Sequence, residues 1–263
     1  MKRLTLASMW AQLPRQPKLY HLFKTYVDRY NGENDDNPAT NGEWRLLRAA
    51  LPTSRVVFDI GANVGAWAEH ALQINPALEL HCFEPSRQTF AQLVARQFGA
   101  NVVCNNFGMS ATPGEATLHV FAPGAGTNSL YRREGLEAGW QLAPQPIQES
   151  VHLETVDGYC QARGINQIDF CKIDVEGHEL QVLQGMEQML RAQAVRLIQF
   201  EYGGCNIDAR VLLKDLFAFF HAGNYTLAKI FPTELRAAPQ YDQRLENFQY
   251  QNWVAQPKSD APC

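Results

Sequence analysis

The stretch Val56-Val57-Phe58-Asp59-Ile60-Gly61-Ala62-Asn63-Val64-Gly65-Ala66-Trp67 decides the fold. Val56 to Phe58 are β-branched or aromatic, as a buried parallel strand requires, and the residues from Ala66 to Gln73 favour a helix. Gly61 and Gly65 flank the turn between them. Glycine permits positive φ and close main-chain approach there, so a ligand can lie against amides at the start of the helix. The spacing discriminates among cofactors. A dinucleotide fingerprint reads G-x-G-x-x-G and grips a pyrophosphate, whereas this loop reads Asp-x-Gly-x-Asn-x-Gly with Asp59 ahead of the first glycine. An acid at that point repels phosphate and suits the ammonium and sulfonium charges of S-adenosylmethionine, with Asn63 between the glycines. A second acid agrees: the strand 78–83 ends at Glu84, where a carboxylate accepts hydrogen bonds from both ribose hydroxyls.

The 263 residues suffice for one large α/β domain with a small appendage. A net charge of -4 offers a polyanionic partner no attraction, which disfavours nucleic acid. The six cysteines are scattered without a C-x-x-C pair and read as buried reduced thiols. Met1 to Leu13 faintly resembles a secretion signal, but Gln12 interrupts a weakly apolar run and no small-residue cleavage site follows, so a cytoplasmic protein is expected. No apolar stretch is long enough for a membrane span.

Residues 1–41 read as an N-terminal helical appendage and loop, with Leu19, Leu22, Phe23, Tyr26, Val27 and Tyr30 at helical spacing. A packing helix is the simple expectation, and a substrate lid or a homo-oligomer contact is the alternative. Residues 42–256 read as the main domain and 257–263 as a flexible tail. A helix at 42–51 leads into strands near 55–60, 78–84 and 100–105, separated by helices 64–75 and 86–98. The alternation then breaks for an insertion at about 113–153, expected as a β-hairpin made of 115–121 and 147–155 beside the ligand mouth. It resumes with helix 155–163, strand 168–174, helix 177–191, strand 195–202 and helix 208–221. The strands 225–231 and 248–255 imply a closing antiparallel hairpin. The whole describes a Rossmann-like, doubly wound, mostly parallel seven-stranded sheet of the class I methyltransferase type.

Ligands of open α/β sheets bind outside the carboxyl ends of the strands. Four of the five parallel ends carry acids: Asp59, Glu84, Asp174 with Glu176, and Glu201. Strand three ends at Asn105 and Asn106, and Asn106 with Phe107 forms the expected adenine contact through an amide edge and an aromatic ring.

The segments Asp59-Ile-Gly-Ala-Asn-Val-Gly65, Phe83-Glu84-Pro85-Ser86 and Lys172-Ile-Asp-Val-Glu-Gly-His-Glu179, with Phe200-Glu201-Tyr202, resemble the FkbM family of S-adenosylmethionine-dependent methyltransferases. The resemblance spans about residues 41–202, including Thr127-Asn128-Ser129-Leu130. It implies a class I methyltransferase fold and methyl transfer to a hydroxyl oxygen of a small molecule, a sugar or a lipid-linked glycan. It carries over Asp59, Gly61, Gly65, Glu84 and Ser86 as cofactor contacts and Asp174 as the active-site acid, which also meets the cofactor.

Methyl transfer to oxygen requires alignment of the acceptor and removal of its proton. Asp174 is the candidate base, aided by His178 one turn into the next helix. The less favoured route has Asp174 and Glu201 hold a divalent ion that acidifies the hydroxyl. Lys172 shares the strand face of Asp174 and orients it or lowers its pKa. Tyr131, Arg132 and Arg133 read as an exposed turn or as contacts to an acidic or sugar acceptor. Two other functions stay open: a non-catalytic partner subunit that keeps the cofactor fold, and an NAD-dependent oxidoreductase, which Asp59 in the phosphate position opposes.

Overall fold

The computed structural model describes residues 16–134 and 146–258. The first fifteen residues of the appendage, the middle of the insertion (135–145) and the end of the tail (259–263) lie outside the described residues. In chain order the elements are α1 (Pro17–Asn31), α2 (Glu43–Ala50), β1 (Val56–Ile60), α3 (Ala66–Ile74), β2 (Glu79–Phe83), α4 (Arg87–Val94), β3 (Val102–Asn105), β4 (Gly108–Met109), β5 (Gly114–Val120) and β6 (Ile147–Glu154). They continue with α5 (Val156–Arg163), β7 (Phe170–Ile173), α6 (Glu179–Gln184), α7 (Glu187–Arg191), β8 (Ile198–Tyr202), α8 (Cys205–Ala209), α9 (Leu213–Ala222), β9 (Tyr225–Ile230), β10 (Leu235–Ala238) and β11 (Gln251–Pro257).

The central sheet runs β10-β9-β11-β8-β7-β1-β2-β3. Strands β3, β2, β1, β7 and β8 are parallel, and β11, β9 and β10 close one side antiparallel. The chain leaves β1 toward β2 in one direction and returns to pair β7 on the other side, so the switch point lies between β1 and β7. Ligand crevices form at such a point because the flanking loops diverge there. This is the class I methyltransferase fold. An eighth strand, β10, extends the seven expected ones as a hairpin partner of β9. Its residues, Leu-Arg-Ala-Ala, are mostly exposed and lack the alternation that would have marked them.

Every residue of β1 is buried, because helices cover both faces of the sheet. Side chains alternate between two apolar layers. Val56, Phe58 and Ile60 join one that includes Phe83, Ile173 and Phe200; Val57 joins the other with Leu47, Trp67, Ala68 and Phe170. Asp59 and Lys172 fall on the second face and oppose one another across the β1/β7 pair.

The insertion pairs β5 with β6 antiparallel as expected, and β4 adds parallel to β6 to make a separate three-stranded sheet. The expected helix 177–191 is two short helices. They break at Gly185, where a Cβ would lie 2.0 Å from the Ser110 carbonyl oxygen. The expected helix 208–221 is α9, preceded by the single-turn α8.

The appendage departs from its expected packing role. No residue of α1 is buried, and Leu19, Leu22, Phe23, Tyr26, Val27 and Tyr30 are all exposed. The loop after α1 is anchored instead: Glu33 pairs with buried Lys229 at 3.2 Å, and the Asn34 amide donates to the Tyr250 carbonyl at 2.9 Å. That loop therefore sits against the end of β9 and the start of β11. Among the described residues, no helix is long and apolar enough to cross a membrane.

Candidate active site

A cavity of about 390 Å³ opens at the carboxyl ends of β1, β2, β7 and β8. Six predicted residues line it: Gly61, Asn63, Glu84, Asp174, His178 and Glu201. Asp59, Gly65, Ser86, Asn106 and Phe107 do not, and each stands one layer back.

Gly61 is where β1 and β7 converge. Its φ is +83°, and a Cβ would lie 1.8 Å from the Asp174 carbonyl oxygen, so any side chain there pushes the two strand ends apart. Gly65 caps α3 with φ +82°, and its missing Cβ makes room for Leu93 and Phe98 rather than for a ligand. Asn63 holds a left-handed φ of 48°, a conformation asparagine tolerates, and its amide donates to Glu84 Oε2 at 3.1 Å. Its own Oδ1 is buried without a partner.

Glu84 ends β2 with its other oxygen held by the Ser86 amide at 2.9 Å. Burial pushes its pKa up to about 7, against the two amide hydrogen bonds that favour the charged form. Ser86 thus orients Glu84 through its backbone. Asn106 donates to the carbonyls of Glu84 and Pro85, at 2.9 and 3.1 Å, and braces the same turn. Phe107 packs in the core between Phe83 and Tyr159, and Gly108 and Met109 take the cavity wall instead.

Asp59 is fully enclosed, and neither carboxylate oxygen has a hydrogen-bond partner. Its counter-charge is the Lys172 ammonium at 3.4 Å, which also reaches Asp174 at 3.1 Å. Burial raises the Asp59 pKa, with Lys172 opposing. Burial also acts against the Lys172 ammonium, but Asp174 and Asp59 outweigh it and keep the lysine charged. Lys172 therefore orients Asp174 from below, as the shared strand face predicted. The Asp174 side chain remains about one-third exposed toward the cavity.

The loop from Asp174 to His178 is held from beneath by Glu179. This fully buried acid accepts from the Val175 and Gly177 amides, both at 3.2 Å. Burial lifts its pKa to about 7. Glu176 adopts a left-handed φ of 53° and Gly177 a φ of 103°. Burial, then the nearby Asp174 charge, lift Glu176 to about 8 although Arg133 opposes them.

His178 has both ring nitrogens occupied, Nδ1 by the Tyr131 hydroxyl and Nε2 by the Ser110 hydroxyl, each at 3.0 Å. Burial lowers its pKa to about 4. The ring joins Tyr131 of the insertion to the loop after β7. Arg133 is neither exposed nor turned to an acceptor: it is buried against Glu176 at 2.5 Å and Asp208 at 3.3 Å. Ser129 Oγ donates to the Glu176 carbonyl at 2.7 Å. The insertion is thus fastened to the loop after β7. Ser110 and Ser129 had no role read from the sequence because nothing local marks a residue that acts on a loop 47 or 68 positions away; Tyr131 meets His178 rather than an acceptor.

Glu201 gathers with Glu176 and Cys205, their ligand atoms within 4.8 Å of one another. Burial, then Asp174 and Glu176, push the Glu201 pKa well above the usual carboxylate range, and burial raises the Cys205 thiol as well. The set the structure gathers around Glu201 differs from the expected Asp174–Glu201 pair. Its protonated thiol does not match the oxygen donors that Mg²⁺ requires.

The model of the methyltransferase FkbM domain matches residues 59–227, from the acid of the glycine loop to β9. The chain belongs to the FkbM methyltransferase family. This FkbM-domain chain is 25% identical over 175 residues to the hexuronic acid methyltransferase AglP of Haloferax volcanii, covering 65% of this chain and 66% of the relative. It is 32% identical over 154 residues to the 31-O-demethyl-FK506 methyltransferase FkbM of Streptomyces tacrolimicus, covering 50% of this chain and 59% of the relative. The chain therefore spans just under two thirds of these relatives' own length. Among solved structures, the methyltransferase FkbM from Methylobacillus flagellatus superposes with a TM-score of 0.48 at 14% identity, over 77% of this chain and 43% of that one.

Proposed function

We propose that this chain is an S-adenosylmethionine-dependent methyltransferase that O-methylates a hydroxyl of a small molecule or carbohydrate acceptor. The observation that carries the reading is one cavity with two carboxylates in different states: Glu84 fixed by amides at one strand end, and Asp174 at another, open to an incoming group. The residues fit the cofactor. Glu84 meets ribose hydroxyls, Gly61 brings its main chain to the cavity wall, and the unpartnered Asn63 Oδ1 offers an acceptor to an ammonium or hydroxyl donor. Bound there, S-adenosylmethionine would supply the activated methyl carbon.

Asp174 then takes the proton of the acceptor hydroxyl, and Lys172 holds its carboxylate in place. Burial, then the charges of Asp174 and Glu176, raise the Glu201 pKa, so it is available as a proton donor to a bound hydroxyl rather than as a base. Asp59 acts through Lys172, and His178, Ser86, Asn106 and Phe107 act by positioning the walls.

Calorimetry with S-adenosylhomocysteine tests the cofactor; absence of heat at millimolar concentration sinks the reading. Asp174→Asn should abolish turnover with homocysteine-product affinity within a few fold of the native chain, and surviving activity would transfer the base to another group. Turnover should also be indifferent to a chelator; loss with EDTA and recovery with Mg²⁺ would restore the metal route. A cytoplasmic setting is supported by five free cysteines among the described residues. Self-association through the exposed face of α1 is the oligomer this surface favours, and sedimentation of Leu22→Asp against the native chain would expose it.

A further inference from the structure

A second cavity of about 250 Å³ adjoins the first and shares Asp36, Trp67, Lys172 and Asp174 with it. It lies under α2 and the anchored loop after α1, on the sheet face that carries Asp59. On that face Asp59, Lys172 and Gln199 follow one another in register across β1, β7 and β8. A polar row inside a sheet needs partners, and α2 supplies one: Gln199 Nε2 donates to Glu43 Oε2 at 2.7 Å. Asn252 donates to Glu43 Oε1 at 3.2 Å and to the Tyr250 hydroxyl at 3.0 Å.

The row is not fully satisfied. Gln199 is 2% exposed and its Oε1 has no partner; Trp67 is 7% exposed and its Nε1 has none. One spare acceptor and one spare donor, both on residues that line the cavity, match the pairing capacity of vicinal hydroxyls. The Tyr250 hydroxyl keeps its proton to donate, since burial raises its pKa above the usual range. Trp44 adds an indole wall, stacked on its far side against His70 at 3.8 Å.

Charge then narrows the ligand. Asp36, Glu43 and Asp174 line the chamber, and among its described lining residues Lys172 is the one cation, already shared by Asp59 and Asp174. An anionic acceptor would meet no uncommitted positive group there.

We infer that this chamber is the acceptor site and that it takes a neutral polyhydroxylated ring, a neutral sugar rather than a uronic acid or an apolar alcohol. The inference rests on the methyltransferase reading and specifies its substrate. A hydroxyl of the ring reaches Asp174 at the mouth shared with the first cavity, while the others pair with Gln199, Trp67, Tyr250 and Asn252.

Saturation-transfer NMR tests it on the full chain with S-adenosylhomocysteine present, using methyl glucoside, galactoside and mannoside, their uronate counterparts, and cyclohexanol. At least one neutral glycoside should bind roughly tenfold or more tightly than its uronate, since an added carboxylate meets like charge at short range. Gln199→Leu should weaken that glycoside about tenfold with S-adenosylhomocysteine affinity retained. Asp36 is exposed, so Asp36→Lys does not endanger folding, and it should move the neutral-to-uronate ratio at least fivefold toward the uronate. Uronate binding equal to neutral, binding of cyclohexanol alone, or no glycoside binding while S-adenosylhomocysteine binds would each overturn the acceptor assignment. Failure of S-adenosylhomocysteine itself to bind would instead overturn the methyltransferase reading.

Discussion

Replacing Lys172 by methionine isolates the charge on which the β1/β7 junction depends. Asp59 is completely enclosed, its oxygens lack hydrogen bonds, and the ammonium 3.4 Å away is its counter-charge. Methionine retains much of the side-chain length while deleting the cation. Breaking a buried pair from one side costs roughly 3–5 kcal/mol, because the remaining charge is left uncompensated. Against a typical domain stability of about 5–15 kcal/mol, the variant should be marginal at neutral pH. The loss carries a pH signature. Burial already raises the Asp59 pKa, and loss of Lys172 raises it further. A carboxyl whose folded pKa exceeds its unfolded value holds its proton longer in the native state, so stability falls as pH rises through that interval. The Lys172 pKa is itself raised, so the stabilisation it gives the native chain is fully present below the ordinary lysine value and does not distort the comparison. Urea denaturation followed by circular dichroism at pH 5, 7 and 8.5 should therefore show Lys172→Met nearest the native chain at pH 5 and furthest at pH 8.5. Adding Asp59→Asn should recover about half of the loss at pH 7. A single variant within about 1 kcal/mol of native at pH 7, or a double variant with no recovery, would refute the pairing argument.

Gly61→Ala combines a positive φ with a Cβ 1.8 Å from the Asp174 carbonyl oxygen, so cofactor affinity and turnover should both drop at least tenfold while Gly164→Ala, at a similar φ with open space, costs only about 1–2 kcal/mol of stability. Glu84, Glu176 and Glu179 have pKa values lifted by burial to about 7, 8 and 7, so the native state holds more protons than the unfolded chain between about pH 4.5 and 8. The melting temperature should fall across that window, and Glu179→Gln should flatten the slope; a melting temperature that climbs with pH there would contradict these assignments. His178→Gln should keep turnover within about tenfold, since the ring is a link between Tyr131 and Ser110; a loss beyond a thousandfold would return it to the chemistry.

The strand-loop-helix at residues 56–74 was legible because each of its features is local: β-branched residues before the turn, glycines within it, helix formers after it. Glu84 and Asp174 were legible for a related reason, since the end of a parallel strand is a defined place and an acid there is conspicuous. Strand β10 was not, because a short exposed edge strand takes its conformation from β9 rather than from its own residues. Nor was the break at Gly185, which is set by the approach of Ser110.

The residues alone determined the order of elements, the position of the cofactor loop and the acids available at the strand ends, all of which follow from side-chain periodicity and backbone freedom over a few residues. Tertiary structure decided where each of those acids stands. Asp59 and Glu84 look alike in sequence, yet register places Asp59 opposite Lys172 in the sealed interior while Glu84 reaches the cavity. His178 reads as a base in sequence, and packing sets its Nδ1 against Tyr131 of the insertion and its Nε2 against Ser110. The protonation and reach of a group depend on neighbours brought from other elements, and those neighbours are a property of packing.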